Sequence, residues 1–337
     1  MTKVIVFANQ KGGVAKTTTA IALAQSLALD GKKVLFFDLD PQENASNTLR
    51  LKQDVPNLYD LMTAPDGDTS VFDACLQSVE GCKNITAIRG NIQLSAADLM
   101  FNRQGREFII KERLEAHKSG FDVVIMDTPP ALGVLTVNAL TSANTVVVPI
   151  SPDGYSLQGF YQLNENIRLI KKYSNPQLKI GGILVTRYVP NTIVSREIKE
   201  IAQEYAEMAG TKVYKSVIRQ TVLVSESISA QQGVVLFAPN STAAQDYRAF
   251  AREIKREELM KGGIEYGNEE SGLSAKHRRN VPDFERLAER ARQKRNQHSR
   301  RRGICAGNTD LRNKRLPRPS LQSAAGRGNV EYDGEYS

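Results

Sequence analysis

The chain has 337 residues, 41% of them apolar, which is enough to bury one large core or two small ones. No apolar run approaches the ~20 residues of a membrane span, and no signal-peptide core opens the chain, so a cytoplasmic protein is expected. Cys75, Cys82 and Cys305 lack C-x-x-C spacing and His117, His277 and His298 are scattered, which argues against disulfides, a zinc centre and a histidine triad. The net charge of +8 is unevenly placed. Residues 1–260 carry 28 Lys and Arg against 27 Asp and Glu, whereas residues 261–337 carry 17 against 10. A neutral body with a basic tail points to a nucleic acid or another anionic surface as a tail contact.

In chain order, the apolar run Val4-Ile5-Val6-Phe7 reads as a strand, Lys11 to Thr17 as a loop, and Thr18 to Leu29 as a helix. The loop contains Gly12-Gly13-Val14-Ala15-Lys16-Thr17. Its glycines let backbone N–H groups close round phosphate oxygens at a helix N-terminus. Lys16 supplies a point charge for phosphates, and the Thr17 hydroxyl is placed to ligate Mg²⁺. The plain pattern G-x-x-x-x-G-K-[ST] is not met, because Gln10 and Ala15 stand at its glycine positions. Lys33 to Asp38 reads as a second strand that ends in Asp38-Leu39-Asp40-Pro41-Gln42. Alternation places Asp38 and Asp40 on one face, beside a phosphate loop, where they suit water-held Mg²⁺ and an attacking water. Helical pieces over Asn57–Thr63, Phe72–Val79 and Arg103–His117 surround short strands at Ile85–Arg89 and Ile92–Leu94. The unbroken run from Phe121 to Asp127, followed by Thr128-Pro129-Pro130, reads as a buried parallel strand with an acid at its tip.

Thereafter strands (Thr145–Ile150, Leu178–Thr186, Val213–Ile218) alternate with helices (Leu157–Tyr173, Ser195–Ala209, Ala243–Met260). This alternation predicts a doubly wound, mostly parallel α/β sheet with helices on both faces, spanning residues 1–260. Gly262 to Gly272 reads as a flexible linker, 283–295 as a short amphipathic helix, and the rest of the tail as disordered in composition. Six cations fall between Arg292 and Arg302, with Arg300, Arg301 and Arg302 in a row, and offer a nucleic-acid contact.

The box K-G-G-V-A-K-T, with Lys11 five residues ahead of Lys16, resembles the deviant Walker A box of the ParA/Soj/MinD superfamily of ATPases. Asp38 to Gln42 is similar to the D-x-D-P-Q switch I of ParA and Soj, and Asp127-Thr128-Pro129-Pro130 resembles a Walker B acid opening switch II. Ala15 departs from the family's commoner glycine. The resemblance covers about three quarters of the chain. It implies bound ATP and Mg²⁺, with Lys11, Gly12, Gly13, Val14, Ala15, Lys16, Thr17 and Thr18 round the phosphates. It also implies that Lys11 reaches a partner copy's nucleotide, and that Lys16 and Asp40 serve hydrolysis. Thr17, Asp40 and Asp127 would lie at the metal, and adenine would lie near Thr186-Arg187 and Pro239-Asn240. Val217 to Glu226 is similar to a segment through which chromosomal relatives touch DNA, which makes Arg219 a candidate contact. The implied protein forms an ATP-dependent sandwich homodimer that binds DNA without sequence preference at the nucleoid. With a ParB-like centromere-binding partner it would segregate a plasmid, chromosome or integrated element. The chain opens at the first strand, so the N-terminal helix-turn-helix region of larger plasmid ParA proteins is not expected. The alternatives are a membrane-positioning ATPase of the MinD type, for which the tail has few bulky apolar residues, a metabolic enzyme on the same scaffold, and a nucleotide-gated DNA-binding regulator.

Overall fold

The computed structural model describes residues 2–152 and 154–260. The expected helix 283–295 and the cations Arg300, Arg301 and Arg302 lie outside the described residues. β1 (Lys3–Phe7) leads through the glycine loop into α1 (Lys16–Leu29) and β2 (Val34–Asp38). Short pieces follow: α2 (Asn44–Thr48), α3 (Leu58–Thr63), α4 (Ser70–Ala74), β3 (Gln77–Ser78), β4 (Ile85–Ile88), α5 (Ala97–Met100) and α6 (Ile109–Glu115). The second half runs β5 (Val123–Asp127), α7 (Val134–Ser142), β6 (Thr145–Ile150), α8 (Gly154–Tyr173), β7 (Lys179–Tyr188), α9 (Ile193–Met208) and β8 (Val213–Arg219). It closes with α10 (Val222–Ser229), α11 (Val234–Phe237) and α12 (Thr242–Ile254).

The strands form one sheet in the order β3-β4-β2-β5-β1-β6-β7-β8, parallel except for the pairing of β3 with β4. Every residue of β2 and β5 is buried, as a parallel sheet covered on both faces requires. Alternation divides their side chains between two cores. Val4, Val6, Leu35, Phe37, Val124 and Met126 pack with apolar residues of α3, α6, α7, α8 and α9. Ile5, Phe7, Val34, Phe36, Val123 and Ile125 pack with α1, α11 and α12. Helix α1 is buried along nearly its whole length, so it carries no polar stripe. Its small residues Ala20, Ala22, Ala24 and Ala28 are all buried in the core that it shares with α11 and α12.

The doubly wound α/β architecture is the one expected, with local corrections. Ile92–Leu94 is not a strand. Asn91 accepts the Gln93 N–H at 2.8 Å and starts a 3₁₀ turn over Ile92–Ala96, because a side-chain acceptor there competes with ladder pairing. Phe72–Val79 divides into the end of α4 and β3, and Arg103–His117 shortens to a 3₁₀ turn plus α6. Helices α2, α5, α7, α10 and α11 were not expected, being too short for a periodic pattern to show.

The closing helix changes pitch, with Lys255–Leu259 forming a π-turn. The turn seats Glu258, 6% exposed, against the Thr145 hydroxyl (2.8 Å) and Lys179 (3.0 Å), and Glu257 against Lys212. Lys255 pairs with Asp30 at 2.8 Å. These contacts pin the chain to the N-terminal ends of β6, β7 and β8. Truncation after Met260 should leave the thermal midpoint unchanged. Truncation after Ile254 should lower it by roughly 5 °C, the scale of losing ~2 kcal/mol in a body of this size; differential scanning calorimetry measures both.

Candidate nucleotide-binding site

β2, β5 and β1 end side by side: Asp38 stands in register with Asp127, and Asp127 with Phe7. The phosphate loop therefore leaves the sheet beside two carboxylates. Gly13 takes φ +75, and a Cβ on Gly12 or Gly13 would meet nothing within 4 Å, so the loop backbone is open to the cleft. Ala15 also takes a left-handed conformation, φ +62 and ψ 34, directly before α1. The glycine-like geometry is thus kept by a residue whose Cβ opposes it. Ala15→Gly should raise stability by about 1 kcal/mol in urea unfolding without altering the loop.

The loop is braced from outside. The Asn9 side chain donates to Pro149 O at 2.7 Å and accepts the Lys11 N–H at 3.0 Å. The Thr186 hydroxyl at the end of β7 lies 3.1 Å from Val14 O and 3.0 Å from Ile150 O. Gly159 on α8 lets that helix approach Asn9, since a Cβ there would come within 2.4 Å of Oδ1. Lys16 is 7% exposed, and its Nζ donates to Asn9 O and Lys11 O, each at 3.1 Å. Burial pulls its pKa down, while Asp127 and Asp40 pull it back up.

Asp127 is completely buried, and neither carboxylate oxygen has a hydrogen-bond partner of good geometry. Burial and the neighbouring charge of Asp38 raise its pKa well above the carboxylate range. The Thr17 hydroxyl, at the margin of hydrogen-bonding geometry, and Lys16 oppose that rise. An orphaned buried acid beside a threonine hydroxyl fits Mg²⁺, which takes one or two protein oxygens and fills its shell with water and phosphate. Among the described residues no three His, Cys, Asp or Glu side chains form a metal cluster of their own, so a cation here would depend on phosphate oxygens.

Asp38 is also buried, but its carboxylate is satisfied. It accepts from Ser46 N (2.8 Å), the Ser46 hydroxyl (2.7 Å) and Asp40 N (3.2 Å). Burial still pushes its pKa up to about 6, against those hydrogen bonds. The sign follows. Between the ordinary value of 3.8 and about 6 the folded protein holds a proton that the unfolded chain has released, so stability falls as pH rises through that window. Asp38→Asn should flatten this part of the nucleotide-free stability profile; an equal slope in the variant, measured by urea unfolding, would remove Asp38 as its source.

A cavity of about 610 Å³ opens beside the loop. The loop, Asp40 and Gln42 line one side, and Thr186, Arg187, the segment 218–221, α10 and Tyr247 line the other. Pro239 and Asn240 do not line it; they stand before α12, where their carbonyls accept from Arg248 and Gln245. The wall contributed by Ile218, Thr221, Val224 and Ile228 escaped sequence reasoning, because no motif marks it. Arg219 lines the cavity too, and its guanidinium is paired with Asp246 at 2.9 and 2.7 Å, which raises its pKa.

A sheet of this order with a lysine-bearing glycine loop at the end of β1 defines a P-loop nucleotide-binding α/β protein. The family described as AAA domain matches residues 2–180. Sporulation initiation inhibitor protein Soj of Bacillus subtilis is 38% identical over 257 residues, 75% of this chain and 98% of Soj. Chromosome partitioning protein ParA of Caulobacter vibrioides is 35% identical over 75% of this chain and 93% of its own length. The chain belongs to the AAA domain family and, within it, to the Soj/ParA group. Among solved structures, cobyrinic acid a,c-diamide synthase from Mycobacterium smegmatis, with an ATP analogue and magnesium bound, superposes with a TM-score of 0.64 at 33% identity. The match covers 76% of this chain and 95% of that one. MinD of Pyrococcus horikoshii, at 22% identity and a TM-score of 0.62 over 78% of this chain and all of its own, shares the fold.

Proposed function

We propose that this protein is a Mg²⁺-dependent ATP hydrolase of the partition type. In this reading ATP closes two copies face to face, the closed dimer holds DNA without sequence preference, and a ParB-like partner stimulates hydrolysis and release. One observation carries the proposal. The orphaned Asp127 carboxylate, Lys16, Thr17 and Asp40 converge at the mouth of an open glycine loop, in a chain 38% identical to Soj.

Each residue has a physical part. Loop amides and Lys16 hold the phosphates, with Lys16 exchanging its two carbonyl partners for phosphate oxygens. Thr17 and Asp127 would hold Mg²⁺, which when bound neutralises charge on the phosphates. Asp40, 8% exposed and on the cleft wall, would orient the attacking water. Lys11 would enter the partner copy's site, where two facing nucleotides repel unless a cation lies between them. Arg219, paired with Asp246, and the tail cations Arg300, Arg301 and Arg302 would meet DNA phosphates.

The two lysines separate this proposal from a simple nucleotide binder. Lys16→Ala should abolish ATP binding, whereas Lys11→Ala should bind ATP as a monomer and fail to dimerise or to retain DNA. Nucleotide titration, light scattering and DNA retention with ATP, ADP and no nucleotide measure each step. Normal ATP-dependent dimerisation of Lys11→Ala would overturn the face-to-face arrangement.

A further inference from the structure

The turn that carries Asp40 is fastened in an unexpected way. Gln42 N–H donates to Asp40 Oδ1 at 3.0 Å and Glu43 N–H to Asp40 O at 2.9 Å, which closes the turn. Glu43 then takes φ +55 and ψ 26 as the residue before α2, a conformation that crowds its Cβ and that glycine adopts freely. Both of its carboxylate oxygens are used. Oε2 pairs with Arg89 Nη2, and Oε1 accepts the Ile92 N–H at 3.0 Å.

Arg89, just beyond β4, is only 5% exposed. Its Nη1 donates to Leu51 O at 2.8 Å, and its Nη2 also reaches Asn47 Oδ1 at 3.2 Å. One guanidinium thus holds the residue before α2, Asn47 near its end and the chain beyond it. The next residue completes the contact. Gly90 N–H donates to the Ser46 hydroxyl at 3.0 Å, and a Cβ on Gly90 would come within 3.0 Å of Asp40 O. A buried arginine needs an anion, and Glu43 supplies it only by accepting the strained backbone.

We propose that Glu43 and Arg89 form a lock that holds the Asp40 turn in its working shape before nucleotide arrives, which makes Arg89 a positioning residue for hydrolysis. The second half of this inference rests on the ATP-hydrolase reading above. The first half does not. In a locked turn the Asp40 carboxylate meets the cleft without waiting for the γ-phosphate to order it. Loosening the turn therefore acts on turnover more than on ATP affinity, which the loop and Lys16 supply.

The test uses the full chain, with amide hydrogen exchange over residues 42–49 in the absence of nucleotide beside ATP turnover. Arg89→Ala should speed exchange of these amides at least ~10-fold and lower kcat about tenfold, with KM for ATP changed less than about twofold. Arg89→Ala leaves the half-buried Glu43 carboxylate without its cation, so the double variant Glu43→Gly/Arg89→Ala serves as the control for folding. Glycine accepts the backbone, no charge is orphaned, and the thermal midpoint should return toward that of the unaltered protein while residues 42–49 stay fast. Arg89→Lys, which keeps a cation but not the fork, should fall between. Exchange unchanged in both Arg89→Ala and the double variant would overturn the lock. Fast exchange with unchanged kcat would overturn the positioning role. Failure of the unaltered protein to hydrolyse ATP would sink the functional reading while leaving the exchange result to judge the lock.

Discussion

Everything at the cleft depends on three parallel strands ending in one line. Because β2, β5 and β1 are in register, Asp38, Asp127 and the start of the phosphate loop come together at one edge of the sheet. The cost is electrostatic. Two carboxylates and a lysine are placed where water is excluded, and desolvation is the largest influence on the ionisation of all three. Asp38 is compensated by Ser46 and the Asp40 amide, and so serves structure. Asp127 is left with both oxygens unsatisfied, and such an unmet demand in a packed interior is what a cation and a phosphate can meet.

The phosphate loop shows the same logic on its backbone. A left-handed Ala15 persists because Thr186 steadies Val14 O, Asn9 bridges to Pro149, and α8 comes close through Gly159. These braces come from β6, β7 and α8, over a hundred residues downstream of the loop they support. Asp40 is held from the other direction, by the end of β4. Loop and switch are thus each fastened to a different flank of the sheet, and both line the cavity.

The side of the cavity away from the phosphates is built by elements without a motif. α10 begins with Thr221 capping its own first turn through Leu223 N, and Arg219 is drawn onto Asp246 of α12. That ion pair ties β8 to the closing helix and gives Arg219 a structural employment. Sequence similarity alone had nominated the residue for DNA. Likewise Pro239 and Asn240, chosen by analogy, stand outside the cavity lining, whereas Thr186 and Arg187 from the same analogy line it.

The main alternation of strands and helices, the doubly wound class, the loop, and the acids Asp38, Asp40 and Asp127 were legible from residue patterns. Each depends on local chemistry: apolar runs that must be buried, glycines that permit a phosphate cradle, and an acid at a strand tip. The lock of Glu43 on Arg89, the bracing of Ala15 by Thr186, the pairing of Arg219 and the wall formed by α10 were not legible. They join residues 27 to 172 positions apart, and no periodicity or motif records which distant side chains a register will set face to face. Local sequence determined that this protein has a phosphate site. Only tertiary packing decided which side chains hold that site in shape, because partnership between buried charges is settled by the three-dimensional neighbours that exclude water from them.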